Sequence, residues 1–238
     1  MSTPPRISIV IPVYNEERIL RQAVSELRER LAPFGWTYEI ILAENGSKDG
    51  TVRIGEELAT ELPGEVKIIS MGEPNYGRAL KEGILLSRGE FVVCEEIDLC
   101  DTDFHRRAVE ILETGEADLV IGSKLASGAE DERPVFRHVA SIAYSSMLRI
   151  LLGFRGTDTH GLKAFRRSAL LDVVSACLVE KDVFASEFVI RADRGGVRTR
   201  EIPVKVKEKR PPSINLWKRV PNVLKSVAKL TYAIRVRG

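Results

Sequence analysis

The chain has 238 residues, 44% hydrophobic and 29% charged, which is the make-up of a globular protein with a sizeable core and excludes a disordered or low-complexity chain. A net charge of +2 gives no reason to expect nucleic acid as a partner, and no run of about 18 apolar residues is present to span a membrane as a helix. Three cysteines, Cys94, Cys100 and Cys177, lack metal-type spacing and exclude a disulfide framework or a zinc site.

The charge is unevenly placed. Val204 to Gly238 holds ten Lys/Arg and one acidic residue, a net of +9, and the remainder carries −7. An acidic body with a basic tail points to an anionic surface as partner. The N-terminal apolar stretch is interrupted by Pro12 and Asn15 and is too short for a signal peptide. A reducing, cytoplasmic setting is therefore expected.

Ile7 to Val13 is apolar nearly throughout, which predicts a strand buried on both faces. Glu16 to Leu31 reads as a helix with Ile19, Leu20, Ala23, Val24, Leu27 and Leu31 on one face. Tyr38 to Ala43 reads as a second strand, and Asp49 is placed to cap the helix that follows. Val66 to Ser70, Glu90 to Cys94 and Asp118 to Gly122 read as strands, with helices over Asn75 to Ser87 and Asp103 to Thr114 between them. This alternation predicts an α/β fold, a mostly parallel sheet with helices on both faces. Ligands on such sheets bind beyond the carboxyl ends of the strands.

After Gly122 the pattern changes. Ser127 to Pro134 is a polar, acidic loop and Val135 to Leu152 a helix. Leu162 to Phe165 is a short strand, Ser168 to Val174 and Val183 to Arg194 are helices, and Val197 to Val206 is a strand. One domain over residues 1–210 and a basic amphipathic tail over 211–238 are expected.

Three loops at the predicted carboxyl edge carry chemistry. Pro12-Val13-Tyr14-Asn15-Glu16 offers a ring and a carboxylate to a base or ribose. Glu44-Asn45-Gly46-Ser47-Lys48-Asp49 is a turn whose first residues face the same edge. Glu95-Glu96-Ile97-Asp98 ends an apolar strand in carboxylates, which are costly there unless paired or metal-bound. In extended geometry Glu96 and Asp98 face one side. Their hard oxygen donors suit Mg²⁺ or Mn²⁺ bridged to diphosphate.

These segments, with Asn75-Tyr76-Gly77-Arg78-Ala79-Leu80, Ala117-Asp118-Leu119-Val120-Ile121-Gly122-Ser123 and Gly161-Leu162-Lys163-Ala164-Phe165-Arg166-Arg167, resemble the family 2 glycosyltransferases of GT-A (Rossmann-like) fold. Within that family they are similar to the dolichyl- and polyprenyl-phosphate sugar synthases. The resemblance spans roughly residues 6 to 210. It implies an inverting, metal-dependent hexosyltransferase that moves mannose or glucose from a GDP- or UDP-sugar to a polyprenyl or dolichyl phosphate.

Carried over residue by residue, Pro12, Tyr14 and Glu16 hold the nucleoside, as do Glu44, Asn45 and Asp49. Glu96, Ile97 and Asp98 match the Asp-x-Asp motif, with Glu96 and Asp98 the metal ligands. Lys124 stands near the phosphates and Arg210 near the sugar phosphate. The chain departs from the family pattern at Glu96, which replaces Asp, and at Cys100, where Gln is frequent.

A lipid phosphate is already largely anionic near neutral pH, its second pKa lying at about 6, and needs no strong base. A hydroxyl acceptor, on a soluble or cell-wall glycan, needs one, and Asp158, His160 and Glu187 are the candidates. Glu187 is equally placed to pair with Arg191 at i,i+4. A non-catalytic nucleotide-sugar-binding homologue is a third reading.

In the tail, Leu216, Trp217, Val220, Val223, Leu224, Val227, Leu230 and Tyr232 to Ile234 form an apolar stripe flanked by Lys/Arg, which reads as a helix lying on an anionic membrane. The alternative is a helix packed on the domain. A peripheral position on the cytoplasmic face follows from the membrane reading, with a homodimer or a membrane-protein partner also open.

Overall fold

The computed structural model describes residues 4–179, 183–206 and 216–236. The strands are β1 (Ile7–Val13), β2 (Tyr38–Glu44), β3 (Val66–Ser70), β4 (Phe91–Cys94), β5 (Leu119–Ser123), β6 (Glu130–Asp131), β7 (Lys163–Arg166), β8 (Thr199–Pro203) and β9 (Lys205–Val206). The helices are α1 (Leu20–Leu31), α2 (Thr51–Glu61), α3 (Tyr76–Leu86), α4 (Thr102–Glu113), α5 (Val135–Leu152), α6 (Arg167–Ala176), α7 (Phe184–Arg194) and α8 (Leu216–Val236).

Seven strands form one sheet in the order β3-β2-β1-β4-β7-β5-β8. β1 to β4 pair in parallel, as do β5 and β8, and β7 lies antiparallel between β4 and β5. Successive strand residues alternate between two apolar layers, as the period of two requires. Ile9, Leu42 and Val93 pack with α1 and α4, and Val10, Ile41 and Val92 pack with α3, α6 and α7. Helices therefore cover both faces of a mostly parallel sheet, as the alternating pattern predicts.

Four local expectations are corrected. The first helix begins at Leu20 and not at Glu16, because Asn15 takes a left-handed φ of 55° and residues 16–19 form a turn closed by Leu20 N donating to Glu16 O. The N-cap residue of α2 is Gly50, although Asp49 Oδ1 does accept from Thr51 N at 3.0 Å. The single strand expected over Val197 to Val206 is two strands, β8 in the main sheet and β9 in a small second one. The loop expected over Ser127 to Pro134 contains β6, which pairs in parallel with β9.

The tail helix lies partly on the domain. Val227, Leu230, Ala233 and Ile234 are buried, and Leu230 and Ile234 join the cluster of Phe188 on α7. Arg191 and Arg194 donate to the carbonyl oxygens of Ala233 and Ile234 at 3.4 and 3.3 Å, satisfying groups at a helix end. Val223, Leu224 and Tyr232 stay exposed. The more open apolar surface is on α5. Of its 18 residues only Ser145, Leu148 and Leu152 are buried, whereas Val135 and Ile150 are 78% and 80% exposed. Among the described residues no helix is long and apolar enough to cross a membrane.

Candidate active site

The carboxyl ends of β1 and β2 carry two loops that are zipped together. Asn15 N donates to Ser47 Oγ at 2.9 Å, Glu16 N to Thr51 Oγ1 at 2.7 Å and Glu17 N to Asp49 Oδ2 at 3.2 Å. In return Lys48 N donates to Asn15 Oδ1 at 2.8 Å and Gly50 N to Glu17 Oε2 at 2.8 Å. Gly46 sits at φ 72°, and any side chain there would strike the Glu73 backbone, so this corner requires glycine. Tyr14 is exposed at the rim and Glu16 half-buried beside it.

The other residues expected to hold the nucleoside make contacts within the protein. Pro12 is buried within β1 opposite Ala43. Glu44 is buried and its carboxylate accepts from Ser47 N and Ser70 Oγ. Asn45 accepts from Asn75 N, and Asp49 accepts from Thr51 and Glu17. Ile97, expected beside the nucleotide, is instead a member of the core between the sheet and α4.

The acidic segment after β4 is a turn and not an extended strand end, which corrects the expectation that Glu96 and Asp98 face one side by strand alternation. Leu99 N and Cys100 N both donate to Glu96 O, at 3.0 and 3.3 Å, and Cys100 takes a φ of 44°. Tyr76 donates to Glu96 Oε1 at 2.6 Å. Burial pushes the Glu96 pKa up, the Tyr76 hydrogen bond works against it, and the nearby carboxylates of Asp98 and Glu95 add to the rise, which ends at about 7. A cation placed at this turn would offset that penalty on the charged form. The donor chemistry fits a hard divalent ion, since carboxylate oxygens are available from Glu96 and Asp98. Cys100 is buried, with its Sγ donating to Ile97 O at 3.5 Å, and does not join the set. Among the described residues no three His, Cys, Asp or Glu side chains converge on one point, so diphosphate and water would complete the shell.

Facing this turn is a second charged group. Lys124, just after β5, pairs with Asp158 at 2.6 Å, and both are nearly buried. Burial works to raise the Asp158 pKa, but the Lys124 ammonium and the His160 N–H, which donates to Oδ1 at 2.8 Å, bring it below the ordinary value. Gly161 passes so close to Gly122 that a side chain would collide with the Gly122 carbonyl oxygen. This contact seats the 157–161 loop on the end of β5. One cavity is lined by Glu96, Leu99, Lys124, Arg133, Asp158 and His160. The structure thus brings together Glu96, Lys124, Asp158 and His160 from three separate segments of the chain.

Glu187 is not in that cavity. Its side chain is fully buried on α7, where it accepts from Leu178 N, Val179 N and Arg191 Nε at 2.9, 2.6 and 2.8 Å. This corrects its candidacy as a base, and the i,i+4 partnership with Arg191 accounts for it. Arg210 lies outside the described residues.

Three site residues escape a reading of the sequence. Tyr76 bears on Glu96 across the sheet edge. Arg133, 13% exposed at its side chain, is bound to Asp131 at 2.7 Å and held at the cavity by the pairing of β6 with β9. Lys163 is buried in β7 beneath the site, where burial lowers its pKa and its Nζ donates to Gly161 O at 2.7 Å. Tyr76 and Lys163 stand within the Asn75–Leu80 and Gly161–Arg167 segments, which are their local signals, and Arg133 has none.

Residues 8–174 match the family model Glycosyl transferase family 2, and the chain belongs to that family. The sheet topology is that of the GT-A fold, as the following likeness bears out. Glucosyl-3-phosphoglycerate synthase from Mycobacterium tuberculosis, solved with Mn²⁺, UDP and glucosyl-3-phosphoglycerate, superposes with a TM-score of 0.64 at 20% identity, covering 95% of this chain and 80% of that one. Among curated relatives, glycosyltransferase AglD of Haloferax volcanii is 29% identical over 235 residues, 97% of this chain and 38% of that protein. The dolichyl-phosphate beta-glucosyltransferase of Saccharomyces cerevisiae is 27% identical over 223 residues, 83% of this chain and 66% of that protein. The chain therefore spans less than two thirds of these relatives' own length.

Proposed function

We propose that this chain transfers a hexose from a nucleoside-diphosphate sugar, a UDP- or GDP-hexose, to a polyprenyl phosphate at a membrane surface. The observation that carries the reading is the cavity itself, in which Glu96 of the acidic turn shares a wall with Lys124 and Arg133. The acidic turn suits a divalent metal with the donor diphosphate, and the two cations suit an anionic acceptor. The names of the relatives point the same way.

In this reading Glu96 and Asp98 hold Mg²⁺ or Mn²⁺, whose chemistry is to neutralise charge on the departing diphosphate. Tyr14 and Glu16 meet the nucleoside at the rim. Lys124, held in place by Asp158, holds phosphate oxygens, and Arg133 adds a second cation. An acceptor phosphate oxygen attacks the anomeric carbon, and its new bond forms as the bond from that carbon to the diphosphate oxygen breaks. The nucleoside diphosphate leaves with the bonding pair, and configuration inverts. A phosphate acceptor brings its own negative charge, so no residue has to take a proton.

The apolar outer face of α5 and the exposed Val223 and Leu224 of α8 support a membrane-facing side, with Lys225 and Lys229 as cations for anionic headgroups. A second reading keeps the donor and changes the acceptor to a small phosphorylated acid, as in the synthase that shares the fold. A hydroxyl acceptor falls to His160 as base, since it is exposed at the cavity and Asp158 is engaged with Lys124.

The test is incubation with Mn²⁺ or Mg²⁺, labelled UDP- and GDP-hexoses, and either polyprenyl phosphate in vesicles or 3-phosphoglycerate. Label in the organic phase is expected. Label only in phosphoglycerate establishes the second reading, and no transfer from any donor refutes both.

A further inference from the structure

Directly behind the acidic turn lies a buried pair that the proposed chemistry does not use. Glu95 and His105 are fully buried side chains, with His105 Nε2 2.7 Å from Glu95 Oε2. The same carboxylate accepts from both ends of the turn, from Glu96 N at 2.9 Å through Oε1 and from Asp101 N at 3.0 Å through Oε2. Asp101 is in turn the N-cap of α4, accepting from Phe104 N at 3.0 Å, and His105 stands one turn further along that helix. One interior carboxylate thus ties the end of β4, the turn and the start of α4 into a closed ring.

This arrangement is costly as pure scaffolding. A carboxylate buried to this degree is disfavoured unless all its oxygens are satisfied. Among the described residues His105 Nδ1 has no hydrogen-bond partner, so the pair is not fully satisfied even in its own environment. The turn it closes also contains the left-handed Cys100, a conformation that persists only where surrounding contacts impose it.

We infer that Glu95, backed by His105, is a positioning residue that holds the Glu96–Asp98 turn in its metal-receiving shape before any ligand arrives. The inference rests on the reading of Glu96 and Asp98 as metal-holding residues for its consequence, but the ordering of the turn can be measured without it. The mechanism is steric and directional. With Glu96 N and Asp101 N both anchored inward, the segment between them has few ways to rearrange, so the two carboxylates meet a cation without first being ordered.

The test compares Glu95→Gln, His105→Phe and His105→Gln with Glu39→Gln. Glu39 is an equally buried carboxylate on β2, remote from the turn, and its variant calibrates general destabilisation. In the ligand-free proteins, amide hydrogen exchange over residues 96–101 is expected to speed by about tenfold or more in Glu95→Gln and His105→Phe. It should remain at the wild-type rate in Glu39→Gln and in His105→Gln, which keeps an N–H donor. The Mn²⁺ constant for UDP binding, read by calorimetry, is expected to weaken in the same two variants by about tenfold, the usual cost of removing support behind a metal ligand. Exchange over 96–101 no faster in Glu95→Gln and His105→Phe than in Glu39→Gln overturns the clamp. A wild-type chain that shows no Mn²⁺-dependent UDP binding counts instead against the proposed function, and the exchange comparison still decides the clamp.

Discussion

At the scale of single residues, the site is held together by charges that need one another. Lys124 and Asp158 are a nearly buried pair, so Lys124→Met leaves an uncompensated carboxylate. A loss of about 3–5 kcal/mol is expected in urea unfolding, with much of it recovered in Lys124→Met/Asp158→Asn. Glu96 makes the opposite kind of statement. Its pKa of about 7 lies above the ordinary glutamate value of about 4.3, so charging it costs the folded state. Its contribution to stability is complete below the ordinary value and is lost as pH rises through about 7. Thermal melts of metal-free protein should show that loss, and Mn²⁺ should reverse it. In Tyr76→Phe the hydrogen bond that restrains the shift is gone, and the window should extend upward. Asp98→Asn removes one of the two proposed ligands without altering shape, and transfer activity is expected to fall by about a hundredfold or more.

At the scale of elements, α8 packs in part on the domain, whereas α5 leaves much of its apolar surface open. The basic stripe of α8 reads either as lying on a membrane or as packed on the domain, and Leu230 and Ile234 are buried against α7 while Val223 and Leu224 stay exposed. For α5 the sequence predicts a helix and nothing of its surroundings, and most of its apolar side chains are open. Periodicity reveals that a face is apolar and not what covers it, which is why the two could not be told apart beforehand. Leu230→Ala should cost about 2–5 kcal/mol by opening a cavity in the packed region. Ile150→Asp should change stability by no more than about 0.5 kcal/mol, because the side chain is already in water. The same change should weaken cosedimentation with vesicles of anionic lipid. Unaltered vesicle binding would remove α5 from the membrane-facing surface.

At the scale of the molecule, the regular half of the chain was legible because its strands are short, apolar and separated by helices. Ile7–Val13 and Val66–Ser70 match their expected bounds. The edge on which the site forms was legible for the same reason. What was not legible depends on long-range pairing: β6 meeting β9, which brings Arg133 to the cavity, and Tyr76 reaching Glu96. The expected row of carboxylates also failed locally, since Leu99 N and Cys100 N fold the segment into a turn that alternation cannot foresee. Far from the site, Glu39 ties β1, β2 and β3 together, accepting from Ser8 Oγ and Lys67 Nζ, both at 2.7 Å, and from Arg88. Burial raises its pKa, but these donors outweigh burial and leave it depressed. The stability it gives is therefore full above about 4.3 and lost as pH falls through the lower folded value. Glu39→Gln should flatten the acid limb of a plot of stability against pH.

The antiparallel β7 has a bearing on how the protein is made. Its neighbours β4 and β5 are both synthesised before it, and neither touches the other in the finished sheet. On the ribosome each must wait with an open, apolar edge until Lys163–Arg166 emerges to wedge between them. A nascent chain stopped after Gly153 should therefore bind chaperones and aggregate, whereas one carried past α6 should resist protease in its first 120 or so residues, a difference that arrest-and-digest experiments can read directly.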